Sequence, residues 1–175
     1  MISAISEPTM KLESLEKLFV HELKDIHSAE RQLLKALPVM AEAATNSELK
    51  AAFQKHFKET QGQVDRLDKI FSGLNFQPGG HKCAAMAGLI EEGEEMCKAD
   101  ADEHVRNAGL IACAQRVEHY EIAAYGTAVA LAEKLGMQDA ADLLRKTLEE
   151  EGKTDRDLTH LAERIINFEA LMADK

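Results

Sequence analysis

Five glutamates and one histidine of this chain have the side-chain type and spacing to hold metal. In the stretch RVEHYEIAAYG, Arg116 to Gly126, Glu118 and Glu121 are three residues apart in an unbroken helical pattern, so both carboxylates project from one face, one turn apart. Glu118 precedes Ile122 by four and Glu121 follows Val117 by four, which puts that face on the apolar side. Glu30 falls four after Ile26 and three before Leu33, while His56 and Glu59 follow Phe53 at successive intervals of three. In LEEEGKTD, apolar phase selects Glu151, three after Leu148 and seven before Leu158, with Asp155 one turn on as a supporting group. Two hard cations a few ångström apart require bridging anionic oxygens from several helices, the chemistry such a set supplies.

A lone glutamate at an apolar phase is more commonly a boundary residue that reaches water. The weight lies in the ensemble, because four long helices must each bring one carboxylate to the same height. Uncompensated, such burial costs at least several kcal/mol per charge, so the groups demand cations or protons.

The helices are legible as 3.6-residue periods. Leu12, Leu15, Phe19, Leu23, Ile26, Leu33, Leu37 and Met40 predict a first helix over about 10–45 after a Pro8-Thr9 start, with Pro38 inside it. Asn46 or Ser47 is placed to cap a second helix, about 48–72, marked by Leu49, Phe53, Phe57, Val64, Leu67 and Ile70. SGLNFQPGGHK breaks the pattern, and a short helix follows from about Cys83 to Ala99. Val105, Ile111, Val117, Ile122, Val129 and Leu131 mark a helix over about 102–135, ended by Gly136 as a C′ residue. Leu143, Leu144, Leu148, Leu158, Leu161, Ile165 and Phe168 mark the last, over about 138–170.

Two helical hairpins joined by a long crossover define an all-α, ferritin-like antiparallel four-helix bundle, read as one domain over 1–175. A shift of 91 residues superimposes the hairpins without a gap, carrying Glu30 onto Glu121, Lys55 onto Lys146 and Leu67 onto Leu158. The chain therefore reads as a pseudo-twofold repeat. The same shift puts Glu59 on Glu150 rather than on Glu151, so repeat and apolar phase disagree by one residue on the last helix.

Composition narrows the function classes. A net charge of -10 argues against nucleic acid, whose phosphates recruit Lys and Arg. No segment approaches the apolar length of a membrane span, and MISAISEPTM lacks the basic start and apolar run of a signal peptide. Cys83, Cys97 and Cys113 are odd in number and lack CxxC spacing, which fits a reducing, cytoplasmic setting.

FVHELKDIHSAERQLLKALPVMA, HFKETQGQVDRLDKIF, KCAAMAGLIEEGEEM, AQRVEHYEIAAYG and LEEEGKTD together resemble the YciF-type bacterial stress proteins of the ferritin-like superfamily. Glu118-x-Tyr120-Glu121 is also similar to the third bundle helix of rubrerythrins, where a further Glu follows the second by thirty residues and here falls on Glu151. The resemblance implies two metal ions, iron foremost with manganese or zinc as alternatives, held by Glu30, His56, Glu59, Glu118, Glu121 and Glu151. It also implies a homodimer and a stress role with peroxide or dioxygen as the oxidant. Tyr120 and Tyr125 become candidate hydrogen-bond donors to the ligands.

One departure stands out. The Glu-x-x-His expected on the second and fourth helices is missing, since Gly62 follows Glu59 and Thr154 follows Glu151 at that spacing. His56-x-x-Glu59 reverses the order, and Gln63 stands where a histidine is expected. A nitrogen-poor site leaves a second reading open: a non-enzymatic homodimeric stress protein whose metal site is vestigial or structural.

Overall fold

The computed structural model describes residues 11–173. Helix α1, Leu15–Ala43, begins where the Ser14 hydroxyl accepts from the Lys17 N–H at 3.1 Å, and it runs through Pro38 without a break. Pro38 is exposed, so the N–H it lacks is missing on the solvent side. The predicted start at Pro8-Thr9 lies outside the described residues. Leu12 precedes the helix and is 45% exposed, so it is not the first core position.

Asn46 caps α2, Ser47–Leu74, its side-chain oxygen accepting from Glu48 and Leu49 N–H at 3.0 and 3.2 Å. Asn75 ends it in the left-handed region at φ 57°, and the Phe76 N–H reaches back to the Phe71 carbonyl. The crossover contains α3, Ala84–Lys98, followed by α4, Glu103–Lys134, capped by Asp102. Gly136 terminates α4 as expected: at φ 72° it donates to Glu133 while Met137 donates to Ala132. This Schellman closure turns the chain directly into α5, Gln138–Leu161.

The last helix departs from its predicted phase. Ala162–Ile166 is a π-helical segment, after which α6, Asn167–Ala173, resumes. The extra residue in that turn rotates everything beyond it, so Ala162 and Ile166 enter the core and Phe168 is 64% exposed. Val105, another expected core position, is 46% exposed in the first turn of α4, as is Leu15 at 39% in the first turn of α1.

Packing neighbours run α1, α2, α5, α4 and back to α1, with α3 laid across the seam between α1 and α4. The start of α1 shares a core cluster with the ends of α2 and α4 and the start of α5, so every adjacent pair is antiparallel. The crossover must then travel the length of the bundle, roughly 40 Å for a 28-residue helix, which is why about thirty residues are spent on it. The offset of 91 carries Ala43 onto Lys134 and Ser47 onto Gln138, so the two hairpins turn at equivalent places.

Two apolar clusters fill the interior. Leu23, Ile26, Leu67, Phe71 and Leu144 belong to one; Leu33, Leu37, Phe53, Leu110 and Leu158 belong to the other. Between them the inward positions are polar. The hairpin turn at Gly136 sets how α4 and α5 present their part of that layer, and its positive φ is open to glycine at little cost. Gly136→Ala is expected to lower the unfolding free energy by about 1–2 kcal/mol, read from denaturant midpoints with unchanged helical circular dichroism.

Candidate metal centre

Inward positions on all four bundle helices follow alternating steps of three and four, as in 26, 30, 33, 37 on α1 and 53, 56, 60, 63, 67 on α2. Where that series passes mid-length it carries Glu30 on α1; His56, Thr60 and Gln63 on α2; Glu118 and Glu121 on α4; and Thr147, Glu151 and Thr154 on α5. Every one of these is buried.

His56, Glu118, Glu121 and Glu151 each offer a ligand atom, and these four atoms lie within 4.8 Å of one another. His56 Nε2 is 3.3 Å from Glu118 Oε1 without the angle of a hydrogen bond, and 3.9 Å from Glu151 Oε2, beyond hydrogen-bond distance. Glu30 adjoins the group: Tyr125 donates its hydroxyl to Glu30 Oε1, and the Glu30 carboxyl is close enough to raise the pKa of Glu121. Glu30 Oε2, Glu118 Oε2, both Glu121 oxygens, Glu151 Oε2 and both His56 ring nitrogens are buried without a hydrogen-bond partner. So many unpartnered polar atoms around one point, most of them acceptors, are costly in a protein interior unless something electropositive sits among them. A buried group of this composition can hold a metal ion.

Glu59 is placed apart from the four. It follows His56 by three, but the inward step here is four, to Thr60, whose hydroxyl donates to the His56 carbonyl at 3.0 Å. Glu59 is half-buried, its Oε1 paired with Lys55 at 2.7 Å while its Oε2 is buried without a hydrogen-bond partner. Its repeat equivalent Glu150 is likewise half-buried and pairs with Arg66, whereas Glu151 is 0% exposed. Repeat and phase thus agree once Glu59 and Glu150 are both read as flanking groups and Thr60 is matched to Glu151.

Gln63 donates to Glu151 Oε1, and its amide also lies 3.4 Å from Glu150 Oε2. Sequence reasoning marked Gln63 only as a missing histidine; its step of seven from His56 was the available signal of an inward partner. Tyr120 turns away from the centre, donating to Asp25 and lying 3.0 Å from Cys83 Sγ. Asp155 accepts from Gln115 at 3.1 Å and faces the exposed His119 at 3.4 Å, outside the group.

Burial dominates the titration of the centre. It holds Glu30, Glu118 and Glu121 well above the usual carboxyl range, aided by the Glu151 charge for the first two and by Glu30 for the third. Burial likewise pushes Glu151 up to about 7 and His56 down to about 4. The metal-free centre therefore keeps carboxyl protons and a neutral imidazole.

These helices, with this polar layer, define a four-helix bundle of the ferritin-like type with a buried histidine–carboxylate group. Residues 14–171 match DUF892, a domain of unknown function, and the chain belongs to that family. It is 48% identical over 162 residues to the protein YciF of Escherichia coli K12, covering 92% of this chain and 98% of YciF. The crystal structure of the E. coli stress protein YciF superimposes with a TM-score of 0.86, covering 89% of this chain and 99% of YciF. YcfI of Rhodopseudomonas palustris, described as a candidate structural protein, follows at 43% identity and TM-score 0.83, with 87% and 98% covered. A Xanthomonas campestris protein at 22% identity shares the fold, with a TM-score of 0.72 and coverage of 93% and 100%.

The raised carboxyls fix how metal-free stability varies with pH. Glu151 keeps its proton to about 7 when folded against an ordinary 4.5, so its contribution is complete below 4.5 and is lost as pH rises through 7. His56, lowered to about 4 from 6.5, acts oppositely, but only below 6.5. The melting temperature of the metal-free protein should accordingly fall as pH rises above 6.5, with a shallower fall in Glu151→Gln, measured by calorimetry.

Proposed function

We propose that this chain is a di-metal carboxylate protein, with iron as its metal, that acts in oxidative-stress defence by reacting with peroxide or dioxygen. The observation that carries the reading is the convergence of His56, Glu118, Glu121 and Glu151 within 4.8 Å in the bundle interior. With Glu30 the site has four carboxylates, whose full ionisation balances two divalent cations. Manganese and zinc meet the same charge requirement, but of the three zinc has no redox chemistry. The stress role draws on YciF of E. coli, described as a stress protein and 48% identical in sequence.

Each residue has a distinct task in this reading. Burial keeps His56 neutral, so its nitrogen lone pair is available to a cation without a prior proton loss. Glu118 and Glu121 present two carboxylates from one rigid turn, Glu151 faces them from α5, and Glu30 is held in direction by the Tyr125 hydroxyl. The carboxyls give up protons as cations enter, so loading releases acid. The apolar clusters on either side exclude water. Bound iron would supply the electrons that reduce the oxidant.

One observation favours a second reading, a non-enzymatic homodimer with a structural metal. Gln63 occupies with its amide a Glu151 oxygen that would otherwise be free, and among the described residues no second nitrogen ligand joins His56. Elemental analysis of protein purified without chelators, followed by Fe(II) oxidation with peroxide, separates the readings. We expect two equivalents of iron per chain and accelerated oxidation, and Glu121→Ala should lose most of the binding. Tightly bound iron without oxidation selects the structural reading; less than one equivalent under all loading conditions overturns the di-metal reading. Light scattering should give twice the chain mass of 19.3 kDa for the homodimer.

A further inference from the structure

Two small cavities lie in the apolar half of the core beside the metal centre. The outer one, between α1, α3 and α4, is bounded by Ile90, Gly93 and Cys97 together with Leu33, Met40 and Val117. The inner one is bounded by the same Leu33, Met40 and Val117, then by Phe53 and Leu158, and ends on His56 and Glu118. Three shared side chains thus form the wall between the two. Each cavity holds about 20 Å³, room for one molecule the size of water.

The outer cavity borders Val39, 46% exposed, and Glu94, whose side chain is 53% exposed and pairs with Lys98. The inner cavity terminates where the His56 ring nitrogens and Glu118 Oε2 have no hydrogen-bond partner. Between these ends the surroundings are hydrocarbon and sulfur except for Thr154 on the inner cavity, whose hydroxyl is already donated to the Glu150 carbonyl. A molecule that must keep hydrogen bonds, such as hydrogen peroxide, would be stripped of them on the way, at a cost an apolar molecule does not meet. Met40 is unbranched and has three rotatable bonds, so of the three wall residues it can swing aside most readily.

We propose that the paired cavities are an apolar entry path that brings dioxygen to the metal centre, with Leu33, Met40 and Val117 as the gate. This rests on the di-metal reading and selects between its two oxidants. Gly93 allows the path to be closed by substitution: a Cβ added there would lie 3.9 Å from Met40 Sδ, an ordinary contact. Gly93→Ala therefore fits in place, and Gly93→Leu would extend into the outer cavity.

Dissolved dioxygen is paramagnetic, so methyl NMR of the metal-free protein under oxygen pressure tests the path without any turnover. Excess relaxation is expected at the methyls of Leu33, Met40 and Val117 relative to Leu23 and Leu144, which are 0% and 1% exposed in the other core cluster. Gly93→Leu should remove the excess and Gly93→Ala reduce it. Equal relaxation at both sets of methyls overturns the proposal, as does an excess that persists in a folded Gly93→Leu protein. In iron-loaded protein, Gly93→Leu should lose most of the oxidation rate with dioxygen while keeping the bound iron and the rate with hydrogen peroxide. A methyl effect in a chain that binds less than one equivalent of metal overturns the di-metal reading alone and leaves the cavities as a dioxygen site.

Discussion

Burial of charge is the constraint on which this structure turns. Four carboxyls and an imidazole occupy the middle of a helical interior, where an unpaired ion is far less stable than in water. Protons on the carboxyls relieve that cost in the metal-free protein, and cations would relieve it when metal is bound. Either compensation needs the layer to stay shut to water. The two apolar clusters provide this, one toward each end of the bundle, with the hairpin turns beyond them. Long helices follow from the same demand, since a polar layer without several turns of hydrocarbon on each side would be wet.

The pseudo-twofold repeat makes the lopsidedness of the layer visible. The 91-residue offset pairs Glu30 with Glu121 on α1 and α4, preserving a carboxylate on each. On α2 and α5 it pairs Thr60 with Glu151, His56 with Thr147 and Gln63 with Thr154. One hairpin therefore supplies the nitrogen and the other supplies most of the oxygen. The pseudo-twofold frame is kept by packing, which tolerates changes of similar shape, whereas the ligands differ between the two hairpins.

The crossover takes part in this arrangement. Cys83 accepts from the Met86 N–H at the start of α3, its own N–H donates to Ser28 at 2.9 Å, and its sulfur meets the Tyr120 hydroxyl. His81, just before it, pairs with Asp25 at 2.6 Å. These contacts fasten the returning chain to α1 and α4 and seat α3 on the seam that borders the metal centre. Tyr120 serves that attachment, which is why it is unavailable to the ligands although it neighbours Glu121.

The sequence by itself determined the helices, the long crossover, the repeat and an inward phase for Glu30, His56, Glu118, Glu121 and Glu151, because periodic burial and helix caps are local and additive along a chain. It placed the Gly136 stop for the same reason. Only the tertiary structure decided the rest. Glu59 keeps a helical interval of three from His56, yet the bundle's alternating three-and-four step passes to Thr60, and Lys55 holds Glu59 at the edge. The π-helical turn at Ala162–Ile166 moved Phe168 outward, a one-residue slip invisible to a constant period. Gln63 on Glu151, Tyr125 on Glu30 and the paired cavities exist only where separate helices meet. The physical reason is common to all three: a side chain's direction can be read from its own helix, but its partner is set by which face of another helix packs opposite.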